Sequence, residues 1–284
     1  MPKLHHNIGF IGAGNMGQAM IGAMIGSECA APSSLFVSDV SQARTDDLKK
    51  TYGIVALTGN AEIIRTCDIV VFAVKPQSLD VLLSELAEVH AFENTTGKKM
   101  FISIAAGFPI RKFEKYIYAG LDADRRKRLP ILRVMPNTPA LVLSGMSGLC
   151  GNAFATAEDM DIATTILSAM GKVIRCRESD MDAITAMSGS GPAYCFYVVE
   201  AMTDAGISLG LSPEQSAELT LATFKGALAL LESQKIPPQA LRQKVTSPGG
   251  TTEAAIGVLE SRSVRQAFCD AISAAARRSR ELSE

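Results

Sequence analysis

Two glycine-bearing runs near opposite ends of this chain have the composition to grip anions. Gly12-Ala13-Gly14-Asn15-Met16-Gly17 follows a short apolar segment and opens a helical pattern. In that setting the first glycine allows a tight turn and the second lets the backbone approach a pyrophosphate. The third lets the helix pack closely on the strand. The run reads as a dinucleotide-binding fingerprint. Near the other end, Ser247-Pro248-Gly249-Gly250-Thr251-Thr252 leads into a helical stretch. Its glycines free backbone N–H groups to turn inward, and the helix start adds partial positive charge. This second run reads either as a cradle for a small anion, with hydroxyls at hand, or as a structural turn.

Other side chains qualify the first site. Asp39 closes the second strand-like segment, about 20 residues past the glycines, where an acid would bond the ribose hydroxyls of NADH. Ser38, Ser41 and Arg44 stand close by and would serve the extra phosphate of NADPH, so both cofactors stay open. Val74-Lys75-Pro76 ends another apolar run, which sets Lys75 either near cofactor phosphates or simply at an exposed strand end.

The general bases are conspicuously few. All three histidines, His5, His6 and His90, fall in the first third, and Arg177 to Phe224 holds no lysine. Alcohol oxidation generally uses a positioned base, whereas a protonated C=N bond is already an electrophile for hydride. Imine reduction therefore suits the residues best. A 3-hydroxyacid dehydrogenase and a nucleotide-binding regulator without catalysis are the competing readings. The six cysteines form no Cys-x-x-Cys pair, and no metal-ligand cluster is expected.

The elements that must position these residues follow from hydrophobic patterning. With 284 residues, 47% of them hydrophobic, two domains are expected. Short apolar runs at 7–11, 35–38, 68–74, 100–104, 131–135 and 146–150 alternate with helical patterns. Ser41 and Ser78 are the expected caps of two of those helices. The alternation predicts an α/β fold, an N-terminal Rossmann-type doubly wound sheet, over residues 1–177. Strand signals vanish over residues 178–284, which predict an all-helical domain, with Ser212-Pro213 as one helix start. The charged run 122–128 reads as a solvated loop or a phosphate or partner site. Ser188-Gly189-Ser190-Gly191-Pro192-Ala193-Tyr194 reads as a substrate wall or domain hinge, or as backbone packing at an interface. A net charge of −1 gives no reason to expect nucleic acid or a membrane surface, and no apolar run is long enough to span a bilayer. A soluble cytoplasmic protein is expected.

The chain resembles the pyrroline-5-carboxylate reductase family along nearly its whole length. The resemblance rests on Phe10–Met16, Ala73-Val74-Lys75-Pro76-Gln77, Ala105-Ala106-Gly107, the run from Arg133 to Pro139, the run from Ser188 to Tyr194, and Val245–Thr252. It implies hydride transfer from NADPH or NADH to the imine carbon of 1-pyrroline-5-carboxylate, giving L-proline. It also implies a helical domain that dimerises by interlocking, with larger homo-oligomers built from the dimers. Gly12, Ala13, Gly14, Asn15, Met16, Gly17, Ser38, Asn60, Ala73, Val74, Lys75, Pro76, Ala105, Ala106 and Gly107 would line the cofactor. Ser247, Gly249, Gly250, Thr251 and Thr252 would receive the substrate carboxylate, with the Thr252 hydroxyl near the ring nitrogen. Asp39 departs from the neutral or basic residue of many relatives, and the stretch 110–130 is longer and more charged.

Overall fold

The computed structural model describes residues 2–284. In its first half, β-strands and α-helices alternate: β1 (Ile8–Ile11), α1 (Asn15–Gly26), β2 (Leu35–Ser38), α2 (Gln42–Tyr52), β3 (Val55–Ala56), α3 (Asn60–Thr66), β4 (Ile69–Phe72) and α4 (Pro76–Glu88). There follow β5 (Met100–Ser103), α5 (Ile110–Ile117), α6 (Ala123–Lys127), β6 (Ile131–Met135), β7 (Gly145–Gly151), α7 (Ala157–Ser168) and β8 (Gly171–Arg175). The strands form one sheet in the order β3-β2-β1-β4-β5-β6-β7-β8, parallel except for the β6–β7 pair. The order reverses at β1, so a crevice opens beyond the carboxyl ends of β1 and its neighbours.

Period-two side-chain alternation divides the core between the two sheet faces. Phe10, Val71 and Ile102 face one layer, with Met20 and Met24 of α1; Ile11, Phe72 and Phe101 face the other. There α4 contributes Leu79, Leu82, Leu83 and Leu86, spaced to share one helix face. Phe72 stacks between Phe101 and Phe113, with centroids 6.0 and 5.4 Å away.

Helix starts show which local signals prevail. Thr156 and Asp159 form a reciprocal capping box on α7. The Asp159 carboxylate also pairs with Lys98 at 2.7 Å. Burial opposes its ionisation, but bonds from Lys98 and Thr156 outweigh that and hold its pKa below the usual carboxylate range. A lowered folded-state pKa gives stability that is present above the unfolded value and lost as acid reaches the folded one. Asp159→Asn should therefore cost about 1 kcal/mol at neutral pH and flatten the acid limb of stability. Melting the two proteins from pH 7 down to 3 checks this; parallel curves would exclude the carboxylate as a source of acid lability.

Two expectations need correction. Ser78 does not cap α4, because Pro76 occupies the first helical position and Lys75 is the cap residue. The run 122–128 is not a loop but the short helix α6 with its flanks. Asp122 accepts from the Arg125 amide, and Lys127 pairs with Asp124.

Past the sheet come α8 (Met181–Ile184), a wide turn over Thr185–Gly189, α9 (Gly191–Ser208), α10 (Pro213–Gln234), α11 (Pro238–Lys244), α12 (Thr251–Ser261) and α13 (Val264–Ser283). By its contacts the chain forms two compact units, one up to Ser190 with Ala275–Glu284, the other Gly191–Ala274. In the second, α9 and α10 form a hairpin. Ser216, 2% exposed, donates to the Thr203 carbonyl, and Ser212 caps α10 as its sequence predicts. No helix among the described residues is long and apolar enough to cross a membrane.

Candidate functional site

The carboxyl end of β1 meets α1 through the predicted glycine loop. Gly12 takes φ +109°, and a Cβ there would stand 2.7 Å from the Ala73 carbonyl oxygen. A Cβ on Gly17 would stand 2.7 Å from the Gly12 oxygen. Both glycines are buried, so their work is to bring α1, β1 and the end of β4 together. Gly14 differs: the nearest atom to its missing Cβ is Nη1 of Arg44, 4.0 Å away. Its Cα faces open space, into which a ligand can come against bare backbone. The first-turn amides of α1 have no intrahelical acceptor and carry the helix's partial positive charge.

This loop forms one wall of a cleft of about 460 Å³. Gly14, Asn15 and Met16 line it with Ala73–Pro76 beyond β4, Ile104–Ala106 beyond β5, Met135 at the end of β6 and Pro136 just after it. Loop, helix start and cleft fit the pyrophosphate and nicotinamide parts of a dinucleotide. Arg44, Ile104, Met135 and Pro136 join the predicted lining residues. A common signal for the last three is position, since each lies at the carboxyl end of a strand. Arg44 is exposed, has no polar partner among the described residues and lines the same cleft as Lys75.

Ser38, Asp39 and Asn60 lie outside that lining, at the end of β2. The Ser38 hydroxyl donates to Asn60 Oδ1 at 2.8 Å. Asp39 makes two bonds that its spacing does not disclose: Oδ2 accepts from the Ala13 amide at 2.7 Å and Oδ1 from the Ser41 amide at 2.8 Å. The carboxylate clamps the glycine loop onto the β2 turn. Asp39→Ser keeps at most one of these bonds, and hydrogen bonds to a charged group contribute about 1.5–3 kcal/mol each. NADH and NADPH affinities should then fall together, by about tenfold in fluorescence titration. Tighter NADPH binding instead would mean that the acid acts on the ribose.

Ser188–Ser190 extends the same fold. Asn137 Nδ2 donates to the Ser188 hydroxyl at 3.2 Å, and a Cβ on Gly189 would crowd Met135 Cε, the movable end of that side chain. Burial pushes the thiols of Cys67, at the end of α3, and Cys150, in β7, up to about 12. Among the described residues no histidine, cysteine and acid cluster could hold a metal.

The second run is part of the helical unit. Gly249 takes φ +72°, Gly250 caps α12, and the Gly250 amide donates to the Ser247 carbonyl. Thr251 and Thr252 form the first turn. Thr252 is half-buried and its hydroxyl has no partner among the described residues. The Gly249 amide, exposed, donates to a carboxylate of the chain itself, Glu253 Oε2 at 2.7 Å. Glu253 was not foreseen, although an acid in the first turn of a helix is the usual signal for such a bond.

Residues 178–282 match the family described as pyrroline-5-carboxylate reductase dimerisation. Residues 7–107 match the one described as NADP oxidoreductase coenzyme F420-dependent. A pyrroline-5-carboxylate reductase of Corynebacterium melassecola is 38% identical over 97% of this chain and 98% of its own length. One of Pseudomonas aeruginosa is 40% identical over 98% and 97%. Among solved structures, the Plasmodium falciparum pyrroline carboxylate reductase with NADP bound superposes with a TM-score of 0.85 at 31% identity, covering 99% of this chain and 100% of that one.

Proposed function

This chain belongs to the pyrroline-5-carboxylate reductase family and reduces 1-pyrroline-5-carboxylate to L-proline with NAD(P)H, and from that premise we propose which of its residues do the work. The observation that carries the assignment is the cleft beyond β1, β4 and β5, with Gly14 bare toward it. The amides after Gly14 hold the pyrophosphate, Ala73–Pro76 and Ala105–Gly107 wall the nicotinamide half, and Ser38 and Asn60 border the adenosine half. Arg44, an unpaired guanidinium beside the glycine loop, supplies charge for the additional phosphate of NADPH. Bound NAD(P)H supplies the hydride.

In the helical unit, Ser247–Thr252 receives the substrate carboxylate. The amide of Gly249 and those of the first turn of α12 are its donors, and an incoming carboxylate takes the place of Glu253 on the Gly249 amide. Thr252 then presents its free hydroxyl to the ring nitrogen. No strong base is required, because the protonated imine accepts hydride as it stands.

We divide the chain functionally at residues 1–177 and 178–284, the second part beginning where the dimerisation match begins. The protein is a homodimer through this part. In support, Phe196, Tyr197, Leu209, Leu219, Leu228 and Val258 are exposed apolar side chains of the helical unit. Six free cysteines accord with a reducing cytoplasm.

Purified protein should oxidise NADH or NADPH when given pyrroline-5-carboxylate and release proline. Comparing initial rates with the two cofactors also ranks them. No turnover with either would sink the assignment.

A further inference from the structure

We propose that the last turn of α13 is a positioning element for the nicotinamide half of the cofactor cleft. Sheet order separates the two halves of that cleft. The β2 side of β1 takes the adenosine half, so the loops after β4 and β5 wall the other half. The loop after β5, Ala105–Gly107, contains a residue held at φ +69°, a conformation only glycine adopts without strain. Little in its own sequence fixes such a loop. Its local bond is from the Ala105 amide to the Ser103 hydroxyl at 3.3 Å.

What presses on it comes from 175 residues further along the chain (282 − 107). The open side of Gly107 lies against Leu282: a Cβ on the glycine would stand 2.9 Å from Leu282 Cβ and 3.5 Å from its carbonyl oxygen. The same turn is anchored on both flanks. Arg111, on the helix that follows the loop, donates to the Ser283 carbonyl at 2.7 Å. Ser279, 4% exposed, donates to Asp182 Oδ1 at 2.7 Å. Arg111 thus ties the exit of the loop to the same turn that covers its glycine. Ala105 and Ala106 face the cleft while Gly107 is held from behind, so the helix end fixes the wall without touching the ligand. A wall set before binding spares the cofactor the entropy of ordering it.

The test is binding in the absence of substrate, with full-length Leu282→Gly and Arg111→Ala proteins. The probes are NADPH and NADH, which use both halves of the cleft, and 2′,5′-ADP and ADP, which use only the adenosine and pyrophosphate part. Both variants should weaken the dinucleotides by about tenfold, the loss expected when a released loop residue must be ordered on binding. The adenosine probes should bind as in the parent protein. Equal losses for all probes would mean general loosening of the domain, and unchanged dinucleotide affinity would mean that the wall stands alone; either result overturns the proposal. Arg111→Ala leaves the helix itself intact, so it decides the matter if Leu282→Gly does not fold.

Discussion

A Gly12→Ala protein should lose about 100-fold in affinity for both NADH and NADPH. The reason is backbone, not side-chain, crowding. At φ +109° an alanine is strained by about 1–3 kcal/mol, and its Cβ would sit 2.7 Å from the oxygen and 2.8 Å from the carbon of the Ala73 carbonyl. A carbonyl at the end of a central parallel strand cannot step aside without moving Val74-Lys75-Pro76. The glycine loop must yield instead, which pulls the Ala13 amide off Asp39 and tilts the start of α1. About 2.7 kcal/mol of misplacement is a hundredfold in a dissociation constant. Gly14→Ala is the informative companion. Its Cβ meets nothing nearer than Arg44 at 4.0 Å, so folding and melting temperature should be unchanged. Binding should still weaken, because the methyl group fills space the pyrophosphate needs. Thermal melts with cofactor titrations separate the two cases, and parental affinity in Gly12→Ala would refute the account of the loop.

The same contrast explains how much of this protein its sequence discloses. Features set by neighbours along the chain are legible: the apolar strands, the glycine loop with its helix, Ser212 capping α10, and the turn into α12. Short elements are not. The two-residue β3 and the seven-residue α3 rest on tertiary packing rather than on a strong pattern of their own. Ser78 misleads because proline at the first helical position outranks a serine two residues later.

The site divides along the same line. Lys75 and Pro76 are legible from their place after a strand end, whereas Ala105 and Ala106 are legible only through the family resemblance. The place of Asp39 at the end of β2 is legible, but its bonds to the Ala13 and Ser41 amides are not, since spacing carries no information about an amide 26 residues upstream. The Leu282 contact behind Gly107 is less legible still. It joins two segments whose local sequences give no sign of each other.

Thr252→Ala should lower turnover by about 10- to 100-fold while leaving cofactor affinity nearly intact. The range follows from a hydrogen bond to a charged group, about 1.5–3 kcal/mol, lost where the imine nitrogen changes its charge. Among the hydroxyls of the run, Thr252 combines partial burial with the absence of any partner, as a group reserved for a ligand should. Ser247 and Thr251 are exposed, and the Thr246 hydroxyl is spent on the Arg242 carbonyl. No histidine exists in the second half of the chain to take over the role. Thr252→Ser retains the hydroxyl and should keep most of the rate, whereas Thr252→Val keeps the shape and should resemble alanine. The split between kcat and KM carries the meaning. An unchanged KM with reduced kcat places the bond in the transition state, where hydride reaches the ring carbon and the iminium nitrogen loses its charge. A raised KM alone would make Thr252 a grip on the substrate, and unchanged kinetics would remove it from the reaction.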